Sequence, residues 1–404
     1  MRRLAALGPT LWPLCALWAL VAVPASAQLP DNPLEGRLLF ESKHCHQCHG
    51  IDGSGPGIGP DLGADRFRGS FLDLGAALWN HVPGMGVAVE ASGVDWPDLT
   101  PEETTRLTAF LYFIDYLGRP GDGTAGAELY RAKGCAACHT VDGDGAGVGP
   151  DLAQLQRFAS PLYTAQSIWN HGPSMFETMR SMGVRTPTFA EGDLADLSAF
   201  IRRRAGPGPR ERMLLAPGNP NLGRELFRDK GCATCHGDDA RGGDGGPDLH
   251  GAGLHRSAEA IAGTMWNHAL AMKTVMERRG IGWPRFTTPE LADLVAFLYF
   301  LPFEDPPGDP GRGERVFASR SCAECHGPDA RSDHAGPELL GGEATRTPER
   351  LVAAMWNHAP VMSEAILAEG RPWPELSGED LRDLLAYVQR GATRSAPELA
   401  EQVR

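Results

Sequence analysis

Eight of the nine cysteines fall in four pairs spaced C-x-x-C, and a histidine follows each pair at once. The four runs are Cys45-His46-Gln47-Cys48-His49, Cys135-Ala136-Ala137-Cys138-His139, Cys232-Ala233-Thr234-Cys235-His236 and Cys322-Ala323-Glu324-Cys325-His326. Two thiols at this spacing reach both vinyl groups of a haem and form thioethers, and the adjacent imidazole then points at the iron. One copy alone would equally suit half of a zinc site or a redox dithiol. Eight cysteines in an exported chain would first suggest four disulfides. Four copies, each inside the same longer context, point instead to four covalently held haems, with His49, His139, His236 and His326 on the iron.

The longer context is a repeat. First cysteines lie 90, 97 and 90 residues apart, and a recurring period is the signature of stacked copies of one unit. Counting from the first Cys, position −9 is always Gly (Gly36, Gly126, Gly223, Gly313). Position −5 is aromatic (Phe40, Tyr130, Phe227, Phe317) and +15 is Pro (Pro60, Pro150, Pro247, Pro337). Positions +34 to +36 read Trp-Asn-His: Trp79-Asn80-His81, Trp169-Asn170-His171, Trp266-Asn267-His268 and Trp356-Asn357-His358. Position +40 is Met (Met85, Met175, Met272, Met362) and +52 is Pro (Pro97, Pro187, Pro284, Pro374). Each unit closes with an amphipathic run, over 100–117, 191–203, 288–301 and 378–389, with Leu107/Phe110, Leu197/Phe200, Leu294/Phe297 and Leu384/Tyr387 in matching slots. These runs predict three helices per unit: one ending near the Cys motif, one carrying Trp-Asn-His, and one closing. No alternating strand pattern recurs, so the expected fold is all-α. The expected divisions are a leader over 1–27 and units over 28–120, 121–209, 210–306 and 307–404, separated by Gly- and Pro-rich linkers. Units 1 and 2 share Asp-Gly-x-Gly loops and units 3 and 4 share Asp-Ala-Arg, which suggests a duplicated pair.

Each unit resembles a class I, mitochondrial-type cytochrome c domain, in the aromatic before the motif, C-x-x-C-H, Gly-Pro-x-Leu and the closing helix with its aromatic. The likeness runs four times over essentially the whole chain after the leader. It implies a small helical bundle around each haem, with the backbone carbonyl of Pro60, Pro150, Pro247 or Pro337 accepting the proximal His N–H, a bond that orients the ring. The family usually places its distal Met just before a Pro on the loop into the last helix. Here that slot, +51, holds Trp96, Thr186, Trp283 and Trp373, so the sixth ligand comes from elsewhere or is missing.

The candidates lie in W-N-H-x-x-x-M. His and Met four apart share one helix face, and both cannot bind one iron from the same side. Pro83, Pro173 and Pro360 lie between them, with Leu270 in unit 3, and an interior Pro is expected to break the helix. That favours Met85, Met175, Met272 and Met362 as distal ligands on a turn beyond the helix. His81, His171, His268 and His358 are the alternative, and an open site is the third possibility. With Met on the iron, His and Asn are expected on a propionate and Trp on the haem edge. Unit 1 offers no other Met after the leader. Met265, Met355, Met179 and Met276 align with plain hydrophobes and read as core, and Met182 falls in a variable slot. His44, His46, His250, His255 and His334 each occur once and read as surface residues.

Arg2 and Arg3, the apolar stretch to Val23 and the Ala25-Ser26-Ala27 site read as a cleavable export signal, with a retained membrane anchor as the alternative. Cys15 follows Leu14, not the small residue a lipoprotein signal needs. Removing Arg2 and Arg3 from 38 basic residues leaves 36 against 51 acidic, a net −15. That excludes the basic footprint of nucleic-acid binding and suits partners with basic or neutral surfaces. The expected function is that of a soluble, exported, periplasmic multihaem electron carrier, without catalytic residues, between redox partner proteins. A peroxidase-like haem enzyme and a cytochrome subunit of a membrane respiratory complex are the alternatives, with membrane contact only if the leader is retained.

Overall fold

The computed structural model describes residues 29–401, apart from 52, 54, 64–66, 68, 156–159, 206–216, 255 and 333. The leader over 1–27 and His255 lie outside the described residues. The fold is all-α. Two short two-stranded ribbons are added, Thr140–Val141 with Asp144–Gly145 and Arg241–Gly243 with Gly246–Asp248. Among the described residues no helix is long and apolar enough to cross a membrane.

Each unit has a first helix (Glu35–Ser42, Gly123–Ala132, Pro220–Asp229, Pro310–Ser319) crossing a closing helix (Pro101–Phe113, Asp193–Arg204, Thr288–Phe300, Gly378–Glu401). The crossing explains the glycine at −9. A Cβ at Gly36 would lie 2.0 Å from the Arg106 carbonyl, and one at Gly126, Gly223 or Gly313 would lie 2.0 Å from that of Asp196, Asp293 or Asp383. Only the smallest residue lets the two backbones meet. One turn on, the −5 aromatic packs on the closing-helix aromatic: Phe40 on Phe110, Tyr130 on Phe200, Phe227 on Phe297 and Phe317 on Tyr387, with ring centroids 5.4–6.0 Å apart. Two of the closing helices start at a threonine cap, whereas that of unit 2 starts at Gly192 with no side-chain cap. Thr100 with Glu103 and Thr287 with Glu290 form full capping boxes.

The middle helices run Phe71–Ser92, Pro161–Ser181, Ala258–Arg279 and Pro348–Ala368. Pro83, Pro173 and Pro360 lie inside them and do not break them. The expected turn before the methionines is therefore absent, and Met85, Met175, Met272 and Met362 stand on the helix itself.

The middle helices also pair the units. That of unit 1 packs on the middle and closing helices of unit 4, and that of unit 2 packs on those of unit 3. The sequence kinship of 1 with 2 and 3 with 4 is thus not the spatial pairing, which is 1·4 and 2·3. Units 1 and 3 meet at the centre, where Tyr112, Phe113 and Tyr116 pack on Tyr299, Phe300 and Phe303. There the Tyr299 hydroxyl donates to the Tyr112 carbonyl. Leu29 is buried, and Asn221 donates to its carbonyl and to Asp31, so the segment before the first helix is tied to unit 3.

Candidate functional site

In each unit the C-x-x-C-H run is one helical turn directly after the first helix. In units 1 to 3 the His amide donates to the carbonyl of the first Cys at 2.9–3.0 Å, and in unit 4 the helix Cys322–His326 spans the same run. The Gly-Pro pair then folds over the imidazole. His49 Nδ1 lies 3.0 Å from the Pro60 carbonyl, His139 Nδ1 3.0 Å from that of Pro150, His236 Nδ1 3.1 Å from that of Pro247 and His326 Nδ1 2.9 Å from that of Pro337. A carbonyl accepts, so Nδ1 carries the proton in all four and Nε2 keeps its lone pair for a metal. The glycine before each Pro lies against the ring. A Cβ there would sit 2.6 Å from His49 Cε1 at Gly59, 2.7 Å from His139 Cε1 at Gly149, 2.6 Å from His236 Nδ1 at Gly246 and 2.8 Å from His326 Nδ1 at Gly336. The histidine is therefore fixed in tautomer by the Pro carbonyl and in ring plane by the Gly.

The eight cysteines are free of disulfides and half-buried. Burial pushes the Cys45, Cys232 and Cys322 thiols up to about 11, and raises Cys135 for the same reason. Among the described residues no cluster of three or more His, Cys, Asp or Glu could hold a metal ion. Two thiols on one turn, beside an imidazole with Nε2 free and an apolar surround, fit a covalently held haem.

A basic residue two positions before the first Cys escaped the sequence reading. Lys43 Nζ reaches the Asp98 carbonyl and Glu103, Lys133 reaches that of Thr188 and Asp193, and Lys230 reaches that of Arg285 and Glu290. Arg320 and Asp380 take these places in unit 4, 3.7 Å apart. The bond ties the motif turn to the start of the closing helix. Its signal was present, a base at −2 and an acid at +58 in every unit.

The Trp and Asn of Trp-Asn-His have partners in a neighbouring unit, which the sequence reading did not anticipate. Each Asn grips one residue of the neighbouring unit at both its backbone N–H and its C=O. Asn80 does so at Leu376, Asn357 at Leu99, Asn170 at Phe286 and Asn267 at Phe189, all at 2.7–3.0 Å. A primary amide both donates and accepts in this way, which explains the Asn. Each Trp indole donates to the neighbour's +52 Pro carbonyl: Trp79 to Pro374, Trp356 to Pro97, Trp169 to Pro284 and Trp266 to Pro187. Three of these rings pack on the neighbour's +51 Trp, with centroids 4.2–4.5 Å apart: Trp79 on Trp373, Trp356 on Trp96 and Trp169 on Trp283. The Trp expected on the haem edge thus makes inter-unit contacts, and the +51 position takes part in pairing.

His81, His171, His268 and His358 are exposed, and each Nδ1 is bound to the carbonyl four residues back on its own helix. The methionine one turn on is half-buried in every unit, and Met175, Met272 and Met362 pack against the core. The far end of the helix returns to its own unit. Arg279 lies 3.8 Å from Cys235 Sγ, and Arg371, just past its helix, 3.8 Å from Cys325 Sγ. In units 3 and 4 the end of the Met-bearing helix thus comes back to the C-x-x-C-H of its own unit. His250 is not a free surface residue, since its Nε2 lies 3.0 Å from the Asp239 carbonyl.

The family model for cytochrome c matches four times in tandem, over residues 34–112, 123–204, 221–301 and 311–392. The chain belongs to the cytochrome c family. Membership brings haem c, bound covalently with its iron, and electron transfer as the role. A curated relative, the Cbb3-type cytochrome c oxidase subunit FixP of Sinorhizobium medicae (strain WSM419), is 34% identical over 125 residues. The match takes in 28% of this chain and 40% of that protein's length. No solved structure matches.

Proposed function

We propose that the chain is an exported, periplasmic tetrahaem electron carrier that takes single electrons from one redox protein and delivers them to another. Its eight paired cysteines would hold four haems, and His49, His139, His236 and His326 would be the proximal ligands. Met85, Met175, Met272 and Met362 would be the distal ligands. The observation that carries this reading is the fourfold recurrence of one arrangement, a proximal imidazole locked by Gly-Pro in a unit whose middle helix carries a half-buried Met. The haem supplies reversible one-electron chemistry at its iron. The chain's own residues hold Nδ1 of each proximal histidine on a Pro carbonyl, which leaves Nε2 for the metal, and a Met beside that His would leave no ligand position for a substrate. Met with His ligation raises the potential relative to two His.

The relative's name favours a second reading, a cytochrome subunit of a membrane oxidase. Under it the retained leader would anchor the chain, and N-terminal sequencing of the purified protein separates the two.

The ligand assignment is tested on the full-length protein by electron paramagnetic resonance and near-infrared magnetic circular dichroism of Met85→Ala and His81→Ala. Met85→Ala should remove a quarter of the Met-ligated low-spin signal, and His81→Ala should leave it whole. Loss in the His81→Ala form alone would transfer the role to the histidines. A high-spin ferric haem in the native protein, with turnover of hydrogen peroxide, would favour an enzyme.

A further inference from the structure

A proline inside a helix has no N–H for the carbonyl four residues back, and that carbonyl must find another donor or remain unpaired. For Pro83 that residue is Trp79, for Pro173 it is Trp169 and for Pro360 it is Trp356. All three freed carbonyls accept an indole N–H from the neighbouring unit. Trp373 Nε1 donates to Trp79, Trp283 Nε1 to Trp169 and Trp96 Nε1 to Trp356, each at 3.1 Å. Helix continuity through the proline thus depends on the +51 Trp of the other unit.

The fourth case fits the same rule. Unit 3 has Leu270 at the proline position, so its helix supplies the N–H for the Trp266 carbonyl. Its neighbour, unit 2, has Thr186 where the other units have Trp. Where no donor is needed, none is present. Phe176 of unit 2, at the +41 position occupied by Gly86, Lys273 and Ser363 elsewhere, packs on Trp266 instead, at 4.9 Å.

We propose that this match between a helix proline and a neighbour's tryptophan is a pairing code. It selects unit 4 for unit 1 and unit 3 for unit 2. Any pairing that set a proline-bearing helix against unit 2 would orphan a backbone carbonyl. The code also fixes each helix between its Trp and the Met six residues on. Each distal ligand therefore depends on the fold of the neighbouring unit, and the haem sites work as two couples, 1 with 4 and 2 with 3. This last step rests on the methionine assignment above.

The test is a double-mutant cycle in the full-length holoprotein, crossing Trp373→Phe with Pro83→Leu. Phe keeps an aromatic ring and removes the donor, and Leu restores the helix N–H. Trp373→Phe alone should shift the folding equilibrium toward the unfolded form roughly tenfold, as expected for one lost buried donor. In the Pro83→Leu background the shift should fall below about twofold. Conversely, Leu270→Pro should be costly, and adding Thr186→Trp with Phe176→Gly should recover much of the loss. A Trp373→Phe penalty that is the same with and without Pro83→Leu would overturn the code. The coupling of ligands has its own readout. Trp373→Phe, a change in unit 4, should alter the haem signature that Met85→Ala removes, and its midpoint potential. If it alters only the signature that Met362→Ala removes, the coupling fails. If Met85→Ala leaves every signature intact, the ligand assignment fails, and the stability cycle still decides the code.

Discussion

The two couples are built to one plan and differ at one contact. Couple 1·4 has two Trp–Trp stacks, Trp79 on Trp373 and Trp96 on Trp356. Couple 2·3 has one, Trp169 on Trp283, and sets Phe176 on Trp266 at the other. The asymmetry separates two jobs done by the +51 tryptophan. Its ring fills space over the neighbour's Trp, and a Phe from a different position can do that. Its N–H satisfies the carbonyl freed by a helix proline, and where the proline is gone that job lapses. The four Asn clamps are the same in both couples, so their hydrogen bonds belong to pairing itself and not to this variation.

The largest effect should come from removing the tryptophan that both couples share. Trp79→Ala and Trp266→Ala each delete a buried ring and its indole bond, and each should cost about 3–5 kcal/mol. In denaturant titrations followed by haem absorbance and near-ultraviolet dichroism, the first should loosen couple 1·4 and the second couple 2·3. Equal loosening of both couples by either change would mean that the four units unfold as one block. The next effect concerns the exchanged contact. Trp96→Thr should cost about 2–3 kcal/mol, and Gly86→Phe added to it should recover about 1 kcal/mol by copying the unit 2 solution. A Cβ at Gly86 meets open space, so the new ring has room to enter. No gain from Gly86→Phe would show that Phe176 depends on features particular to couple 2·3. Smaller again is Asn80→Asp, which keeps the acceptor for the Leu376 amide and loses the donor to its carbonyl. It should cost about 1–2 kcal/mol. Unchanged stability would show that this clamp is redundant beside the Trp79 bond.

What could be read from the sequence divides along the same line. Interactions within one unit were legible in part, because the repeat holds both partners in a fixed register, although the −2 base and its +58 acid were passed over. The Gly at −9, the aromatic at −5 and the Pro carbonyl over the proximal His all follow from positions a few tens of residues apart. Interactions between units were missed. Trp and Asn recur as strictly as the haem residues, so they were assigned to the haem, when their partners lie some 80 to 300 residues away in another copy. The proline was read as a helix breaker because a local pattern shows only the missing N–H. The donor that replaces it, Trp373 for Pro83, lies 290 residues further on. The joint absence of Pro in unit 3 and of Trp in unit 2 was visible, but linking them required knowing that units 2 and 3 are neighbours.

The smallest predicted effect compares equivalent carboxylates at the first-helix crossing. Asp196, Asp293 and Asp383 accept the amide N–H of Asp122, Asn219 and Asp309 at 2.6–2.7 Å. Burial works against the charge at all three. Arg119 beside Asp196 and Arg312 beside Asp383 overcome it, with the amide bond, and hold those carboxyls below the usual range. In unit 3, Leu222 stands where unit 4 has Arg312. Burial then pushes Asp293 up despite its amide bond, and Glu290 nearby adds to the rise. The signs of the pH dependence are therefore opposite. Asp196 and Asp383 contribute stability above the ordinary aspartate value near 3.9, and lose it as pH falls through their lower folded values. Asp293 contributes below that ordinary value and loses its contribution as pH rises through its raised one. Between pH 6 and pH 3, protection of the Asp122 and Asp309 amides against hydrogen exchange should fall while that of Asn219 holds or rises. Each couple holds one crossing that acid weakens, that of unit 4 in 1·4 and that of unit 2 in 2·3, and only 2·3 also holds the one that acid favours. A common fall at all three amides would mean that the arginines do not set the difference. Asp293→Asn should then leave the pH profile of unit 3 as it is in the native chain, instead of flattening it.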